Sequence, residues 1–85
     1  MTVTSAELLP DGYYCDSLRH LVCVPYSLKG LHEMAADLNI GRHWFHKDHY
    51  DIPATRVDDI KARADVHIVR PRLVVQIIET RGKKP

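Results

Sequence analysis

Hydrophobic residues recur with helical spacing after Ser27, a residue type that commonly caps the start of a helix. The apolar positions that follow lie on one stripe of an amphipathic helix: Leu28, Leu31, Met34, Ala35 and Leu38. Asn39 and Gly41 are residue types that end helices. The pattern therefore predicts a first helix between Ser27 and Asn39.

Two further helices are predicted in the second half of the chain. Thr55 and Asp58 have the spacing of a capping box, and three apolar residues are expected to point inward from the helix that follows: Val57, Ile60 and Ala64. The segment after Pro71 is rich in β-branched residues, which favours a strand by propensity alone. However, Pro71 suits the first position of a helix, and the apolar residues Leu73, Val74, Ile77 and Ile78 have helical spacing. We therefore prefer a third helix here.

Strands are indicated where short apolar runs lack helical spacing. Residues 19–24 form such a run, which Pro25 ends, and residues 66–69 form a second. The first 18 residues carry weaker signals, namely a short strand at residues 2–5 and a tight turn at residues 10–12. Residues 40–51 have no helical stripe and are expected to form a strand or an ordered loop.

These elements predict one small α/β domain over residues 1–80, with a short central sheet of two to four strands and about three helices. The expected order is approximately β-β-α-(β)-α-β-α. Residues 81–85 are expected to be a basic, solvated tail. A chain of 85 residues with 45% hydrophobic content holds one core of marginal stability. A ligand, a metal ion or self-association as a homo-oligomer would therefore stabilise it.

Composition narrows the compartment and the class of partner. The sequence has no apolar run long enough to span a bilayer and no secretory signal, so we expect a cytoplasmic protein without a membrane partner. Its two cysteines are too few for a disulfide scaffold and are expected to be reduced thiols. Residues 1–55 carry a net charge of minus three and residues 56–85 one of plus four, but the overall pI of about 7.9 disfavours a dedicated duplex-binding protein.

Candidate chemistry is concentrated in residues 42–51, which hold three of the six histidines. His49 and Asp51 are two residues apart, so on an extended segment both project from one face. They could act as a base with an orienting carboxylate, or as a pair of metal ligands. His43, His46 and His49 recur every three residues, which aligns them only in a 3₁₀-like or polyproline-like segment.

A divalent metal such as zinc or manganese is a candidate cofactor, because imidazole and carboxylate groups are its usual ligands. Two or three of five residues would hold it: His20, His32, His46, His49 and Asp51. The spacing matches no strong ligand motif and includes no cysteine partner. His32 lies at the edge of the first helix's apolar stripe, where it could face a cleft or donate a hydrogen bond to a backbone carbonyl.

The same segment offers candidate ligand-binding residues. Trp44 beside Arg42 could provide a stacking platform for a base, although a tryptophan in this context more often packs in the core. Arg42 and Lys47 could position a phosphate or could simply be solvated. His46 and Tyr50 complete the candidate ligand-binding set.

Four short motifs occur in order along the chain: His20-Leu21, Leu31-His32, the Arg42 to Phe45 segment, and His49-Tyr50-Asp51. In this order and spacing the sequence resembles a family of small bacterial and phage domains of unknown function. The resemblance implies a compact α/β fold and a polar cluster that unites His20, His32, His49 and Asp51.

The chain departs from that family at acidic positions. Members usually open with a Val-x-Val-Asp-Asp-like strand, whereas residues 3–7 here offer only Glu7 as an acid. The aspartate that tends to follow the His-Leu strand is replaced by Cys23-Val24-Pro25. If those acids hold a metal or act as a base, the departures favour a member that binds a ligand without catalysis.

Two functions are therefore carried forward. The first is a binding or accessory module of phage or bacterial type that recognises a host protein, a nucleotide or a nucleic acid through its histidine-rich pocket. The alternative is a small metal-assisted or His/Asp acid-base hydrolase that acts on a phosphoester. In that alternative His49 is the base or a ligand, Asp51 orients it, and Arg42 anchors the phosphate. His20 and His32 are further ligands or proton donors.

Overall fold

A computed structural model of the chain, which describes residues 9–80, shows a mixed five-stranded sheet with three α-helices over those residues. The strands are β1 (Gly12–Cys15), β2 (His20–Val24), β3 (Phe45–His46), β4 (His49–Asp51) and β5 (Val66–Ile68). The helices are α1 (Leu28–Leu38), α2 (Val57–Lys61) and α3 (Pro71–Glu79), with 3₁₀ turns at Arg42–Trp44 and Ala54–Arg56. The strand order is β3-β4-β2-β1-β5, in which only the β1–β5 pairing is parallel among the described residues.

The small α/β class is confirmed, but the prediction of two to four strands is wrong, because the described part of the chain has five. Two of the five strands form the β3–β4 hairpin within residues 40–51, and they contain only two and three residues, too few for an alternating pattern to be recognised. β1 ends in two buried residues, Tyr14 and Cys15, so it also lacks the alternation of a half-buried strand. The strand expected at residues 2–5 and the tail at residues 81–85 lie outside the described residues.

The sequence predicts a helix correctly where a capping or initiating residue is followed by an apolar stripe. The Ser27 hydroxyl accepts a hydrogen bond from the Gly30 N–H, and Asn39 adopts the left-handed conformation that ends α1. Pro71 is the first residue of α3, so the contested segment is a helix. The capping box at Thr55 does not form, because the Arg56 N–H bonds to the Pro53 carbonyl and places Thr55 inside a 3₁₀ turn.

Helices α1 and α3 cover opposite faces of the sheet. On one face, α1 lies against Tyr50, whose hydroxyl contacts His32 of that helix. On the other face, α3 lines a groove together with His20 and His49. Because successive residues of a strand point to opposite faces, His49 and Tyr50 are directed to different layers. This alternation separates the histidines of the chain into two environments.

Both cysteines lie in the core as free thiols, which confirms the expectation that they are unpaired. Burial raises the pKa of Cys15 and also that of Cys23. A raised pKa keeps both side chains as neutral thiols that pack as small hydrophobic groups. Neither cysteine therefore contributes to a candidate site.

Within residues 9–80, each helix is too short or too polar to cross a bilayer. The longest, α1, has 11 residues, about half the length needed to span the hydrocarbon core.

Candidate functional site

Three candidate residues converge on the face of the sheet that α3 covers. His20 on β2 is the direct cross-strand partner of Asp51 on β4, and His49 precedes Asp51 by two residues on the same strand. Cross-strand partners and residues two apart project from the same face. Each of the three offers one nitrogen or oxygen atom, and these atoms all lie within 4.8 Å of one another. We call this group the His/Asp cluster.

Asp16, in the turn between β1 and β2, fixes the orientation of His20. Its side chain is 1% exposed, and its Oδ1 accepts hydrogen bonds from the N–H groups of Leu18 (2.8 Å) and His20 (3.0 Å). Its Oδ2 lies 2.9 Å from Nδ1 of the His20 ring. Because a carboxylate accepts, Nδ1 is the nitrogen of His20 that donates, and a neutral His20 keeps a lone pair on Nε2.

His49 is held between two carboxylates. Its Nδ1 lies 2.8 Å from Asp48 Oδ1, and its Nε2 lies 3.2 Å from Asp51 Oδ1. Asp48 belongs to the turn of the β3–β4 hairpin, where Lys47 has a left-handed φ of 62°. The hydroxyl of Tyr26 donates to the Asp48 carbonyl at 2.6 Å, which anchors this turn to the rest of the domain. The ring of His49 is therefore positioned from both sides.

A groove of about 420 Å³ lies between the His/Asp cluster and α3, and we call it the α3 groove. Its polar wall is formed by His20, His49 and Asp48. Its other wall is α3, which contributes apolar side chains and one carboxylate: Pro71, Val74, Val75, Ile78 and Glu79. The rings of His20 and His49 meet edge to face, with their centroids 4.8 Å apart, so the two imidazoles border the groove side by side.

His32 is not brought to the cluster. Its Nδ1 lies 2.7 Å from the hydroxyl of Tyr50, and its ring packs edge-on against Phe45 at 4.9 Å on the face that α1 covers. From the sequence, His32 was expected to face a cleft or to donate a hydrogen bond to a backbone carbonyl. Its observed partner is instead the hydroxyl of a buried tyrosine. The expectation of one pocket containing His20, His32 and His49 is wrong for His32, because its partner Tyr50 alternates with His49 along β4.

The other predicted ligand-binding residues lie at different places. Tyr50 is buried on β4, beside the central strand β2, and Trp44 is half-buried against the core, in agreement with its more ordinary interpretation. Arg42 is exposed in the 3₁₀ turn and is not among the residues that line the α3 groove. His46 is the cross-strand partner of His49, with the ring centroids 5.4 Å apart, so it lies at the exposed edge of the cluster.

Sequence reasoning missed three carboxylates near the cluster: Asp16, Asp48 and Glu79. Asp16 bonds to a histidine four residues away because a tight turn joins β1 to β2. Because β1 was not predicted from the sequence, this turn could not be predicted either. The acidic strand expected at residues 3–7 lies outside the described residues. Within them, β1 is followed directly by Asp16, so an acid does stand at the end of a strand early in the domain.

A family model described as "Protein of unknown function (DUF4031)" matches residues 14–80, a range that starts within β1 and ends just after α3. No curated protein matches the chain, and no solved structure matches it. The matched range contains the complete His/Asp cluster and both of the carboxylates that orient its histidines.

Proposed function

The chain belongs to the DUF4031 family, whose description assigns no activity, and we propose that it is a binding module whose ligand lies in the α3 groove. The observation that carries this proposal is the contrast between the two walls of the groove. One wall presents imidazole and carboxylate groups, and the other presents the apolar side of α3. A cleft of about 420 Å³ with a few convergent polar groups on apolar walls is typical of small-ligand sites.

The charge of the groove favours one class of ligand. Asp48 and Glu79 line it, Asp16 lies directly behind His20, and its lining residues in the described part of the chain include no lysine or arginine. Carboxylates without a cationic partner repel a phosphate group and attract a basic one. The ligand we propose is therefore small and largely apolar, with an uncharged or basic polar group. Of the partners predicted from the sequence, a nucleotide or a nucleic acid fits this groove poorly.

Three probes that share a phenyl ring test this ligand class: phenethylamine, phenethyl alcohol and phenyl phosphate. With EDTA present, we expect the amine and the alcohol to shift the NMR signals of the methyl groups of Val74, Val75 and Ile78. Phenyl phosphate should bind at least about tenfold more weakly, a difference of about 1.4 kcal/mol, because it places negative charge beside Asp48 and Glu79. Titrations followed by methyl and imidazole chemical shifts measure both affinities.

A matched pair of variants controls for non-specific binding. Val75→Glu places a charge in the groove, whereas Leu28→Glu makes the same kind of change on the exposed side of α1. The first should abolish the shifts caused by phenethyl alcohol, which has no charge to pair with the new carboxylate, and the second should preserve them. Phenyl phosphate binding as tightly as the amine, or unchanged binding of the alcohol to Val75→Glu, would contradict the proposal.

The position of His49 supports a second candidate function, acid-base hydrolysis of a ligand in the groove. A histidine that borders a groove and is oriented by a carboxylate can act as a general base towards water, here once Nε2 turns from Asp51 to the water while Nδ1 stays bonded to Asp48. The groove's carboxylates favour a neutral ester over the phosphoester predicted from the sequence.

This second function predicts slow hydrolysis of p-nitrophenyl acetate and much weaker hydrolysis of p-nitrophenyl phosphate, measured by release of p-nitrophenolate. Removal of the base in His49→Ala should lower the rate by a factor on the order of 10²–10⁴. His43→Ala, which removes an exposed histidine outside the cluster, is the control. Equal rates for these two variants would assign the hydrolysis to surface imidazoles and rule out a role for the groove.

A further inference from the structure

When the His49 ring is neutral and carries its N–H on Nδ1, its contact with Asp51 brings two hydrogen-bond acceptors face to face. A neutral imidazole has one N–H, and the shorter contact, 2.8 Å to Asp48, places it on Nδ1. The Nε2 lone pair then faces Asp51 Oδ1 at 3.2 Å. Two acceptors at this distance repel one another unless a proton or a cation lies between them. The neutral form of the ring therefore leaves a position that suits a positively charged ligand.

The distance between these atoms matches two ligands of a small metal ion. Zn²⁺ binds histidine nitrogen and carboxylate oxygen at about 2.0–2.2 Å with tetrahedral geometry, which places neighbouring ligand atoms about 3.3–3.5 Å apart. The 3.2 Å between His49 Nε2 and Asp51 Oδ1 is close to that value. The His20 atom lies within 4.8 Å of both, so a small shift of its ring towards the pair, with Nδ1 still bonded to Asp16, completes a three-ligand site.

Both histidines have the outer contacts that metal-binding histidines usually have. His20 Nδ1 lies 2.9 Å from Asp16, and His49 Nδ1 lies 2.8 Å from Asp48. When one ring nitrogen donates to a carboxylate, the other nitrogen becomes the ligand, and the carboxylate increases its basicity. The same nitrogen, Nε2, is thereby left to serve as the ligand on both rings.

We propose that His20 Nε2, His49 Nε2 and the Asp51 carboxylate bind a divalent transition metal ion of the zinc class. Two imidazoles select such an ion over Mg²⁺ or Ca²⁺, which prefer oxygen ligands. Three protein ligands leave a fourth position for water or for a donor atom of a ligand in the α3 groove, which His20 and His49 border. The bound ion would add two positive charges beside Asp48 and Glu79, so the preference against phosphate derived above applies to the metal-free groove.

Calorimetric titration of the full chain with zinc chloride, after treatment with EDTA and dialysis, tests the site. We expect one ion per chain, and Co²⁺ should give the visible absorption of a four-coordinate complex that added Zn²⁺ removes. Mg²⁺ should give no heat of binding. Asp51→Asn and His49→Ala should weaken Zn²⁺ binding by at least about 100-fold, and Asp48→Asn, which alters an outer contact, by about 10- to 100-fold.

His43→Ala is the matched control, since it removes an exposed histidine of the 3₁₀ turn and should leave the titration unchanged. Asp51 and Asp48 are partly exposed, so their asparagine variants keep the fold and remain informative if His49→Ala does not fold. Zn²⁺ binding that is unaffected by Asp51→Asn, or lost in His43→Ala, would overturn the proposal. The groove titrations in EDTA are independent of this result, so the metal site and the ligand groove can fail separately.

Discussion

Replacement of Asp16 by alanine is expected to destabilise the domain by about 3–4 kcal/mol, because hydrogen bonds to a charged group contribute about 1.5–3 kcal/mol each and the buried carboxylate accepts three. The Asp16 carboxylate accepts from two backbone N–H groups and from the His20 ring, and it is 1% exposed. Alanine removes all three acceptor contacts, so the β1–β2 turn keeps only its backbone hydrogen bonds, from Asp16 N–H to the His20 carbonyl and from Arg19 N–H to the Asp16 carbonyl. Urea denaturation followed by circular dichroism measures the loss.

Asp11→Ala is the control for removing a carboxylate, since Asp11 is exposed just before β1. Its effect should stay within about 0.5 kcal/mol, as for most surface substitutions. If the two variants unfold at the same urea concentration, the hydrogen bonds of Asp16 do not stabilise the turn.

The asparagine variant of Asp16 separates the turn from the metal site. Its side-chain oxygen can still accept from the Leu18 and His20 N–H groups, but its amide N–H now faces His20 Nδ1. The ring must then accept at Nδ1 and carry its proton on Nε2, the nitrogen proposed as the metal ligand. We expect a folded protein whose Zn²⁺ affinity is about 10- to 100-fold lower. Long-range ¹⁵N–¹H NMR of the ring reports the tautomer, and an unchanged tautomer would contradict this account.

The helices could be predicted because their signals are local. In α1, a capping serine, an apolar stripe and a left-handed asparagine lie within 13 consecutive residues and specify the same element. In α3, Pro71 and the helical spacing of the apolar residues outweigh the β propensity of the β-branched residues. The helix forms because it buries Val74 and Ile77 on one side and leaves Val75 exposed. Local preference and tertiary packing agree at these positions.

The sheet and the site could be predicted only in part because they depend on pairing between distant segments. The spacing of His49 and Asp51 indicated one shared face, and the structure places them so. The addition of His20 depends on the register that pairs it with Asp51. The separation of His32 depends on which face of the sheet α1 covers, and neither the register nor that choice is encoded in a short motif.

The positions of the carboxylates in the fold change how strongly the structure supports ligand binding and how strongly it supports hydrolysis. The sequence disfavoured catalysis because the acidic residues of the resembled family were missing at residues 3–7 and after the His-Leu strand. In the fold, Asp16 and Asp48 supply carboxylates to both cluster histidines from two tight turns. The argument from missing acids therefore no longer holds, and the negative charge of the metal-free groove, rather than a lack of acids, is what favours ligand binding over phosphoester hydrolysis.

Leu21 lies in the core directly after His20 of the His/Asp cluster. Its replacement by alanine is expected to lower the free energy of unfolding by about 2–5 kcal/mol, the usual range for a fully buried leucine. It is 0% exposed at the centre of the sheet, where β2 pairs it with Cys15 on one side and Tyr50 on the other. Domains of this size are stable by only about 5–15 kcal/mol, so the variant loses a large part of its stability. The melting temperature should fall by at least about 10 °C.

Leu18→Ala provides a matched comparison in the same hairpin, because Leu18 is 61% exposed and the same atoms are removed. Its effect should stay within about 0.5 kcal/mol. Because His20 and Asp51 flank the Leu21–Tyr50 pair, zinc bound to the folded cluster should partly rescue Leu21→Ala. At a free concentration 100 times the dissociation constant, the gain is about 2.7 kcal/mol. The rescue should vanish when Asp51→Asn is added, and a rescue that persists in the double variant would show that zinc stabilises the protein at another place.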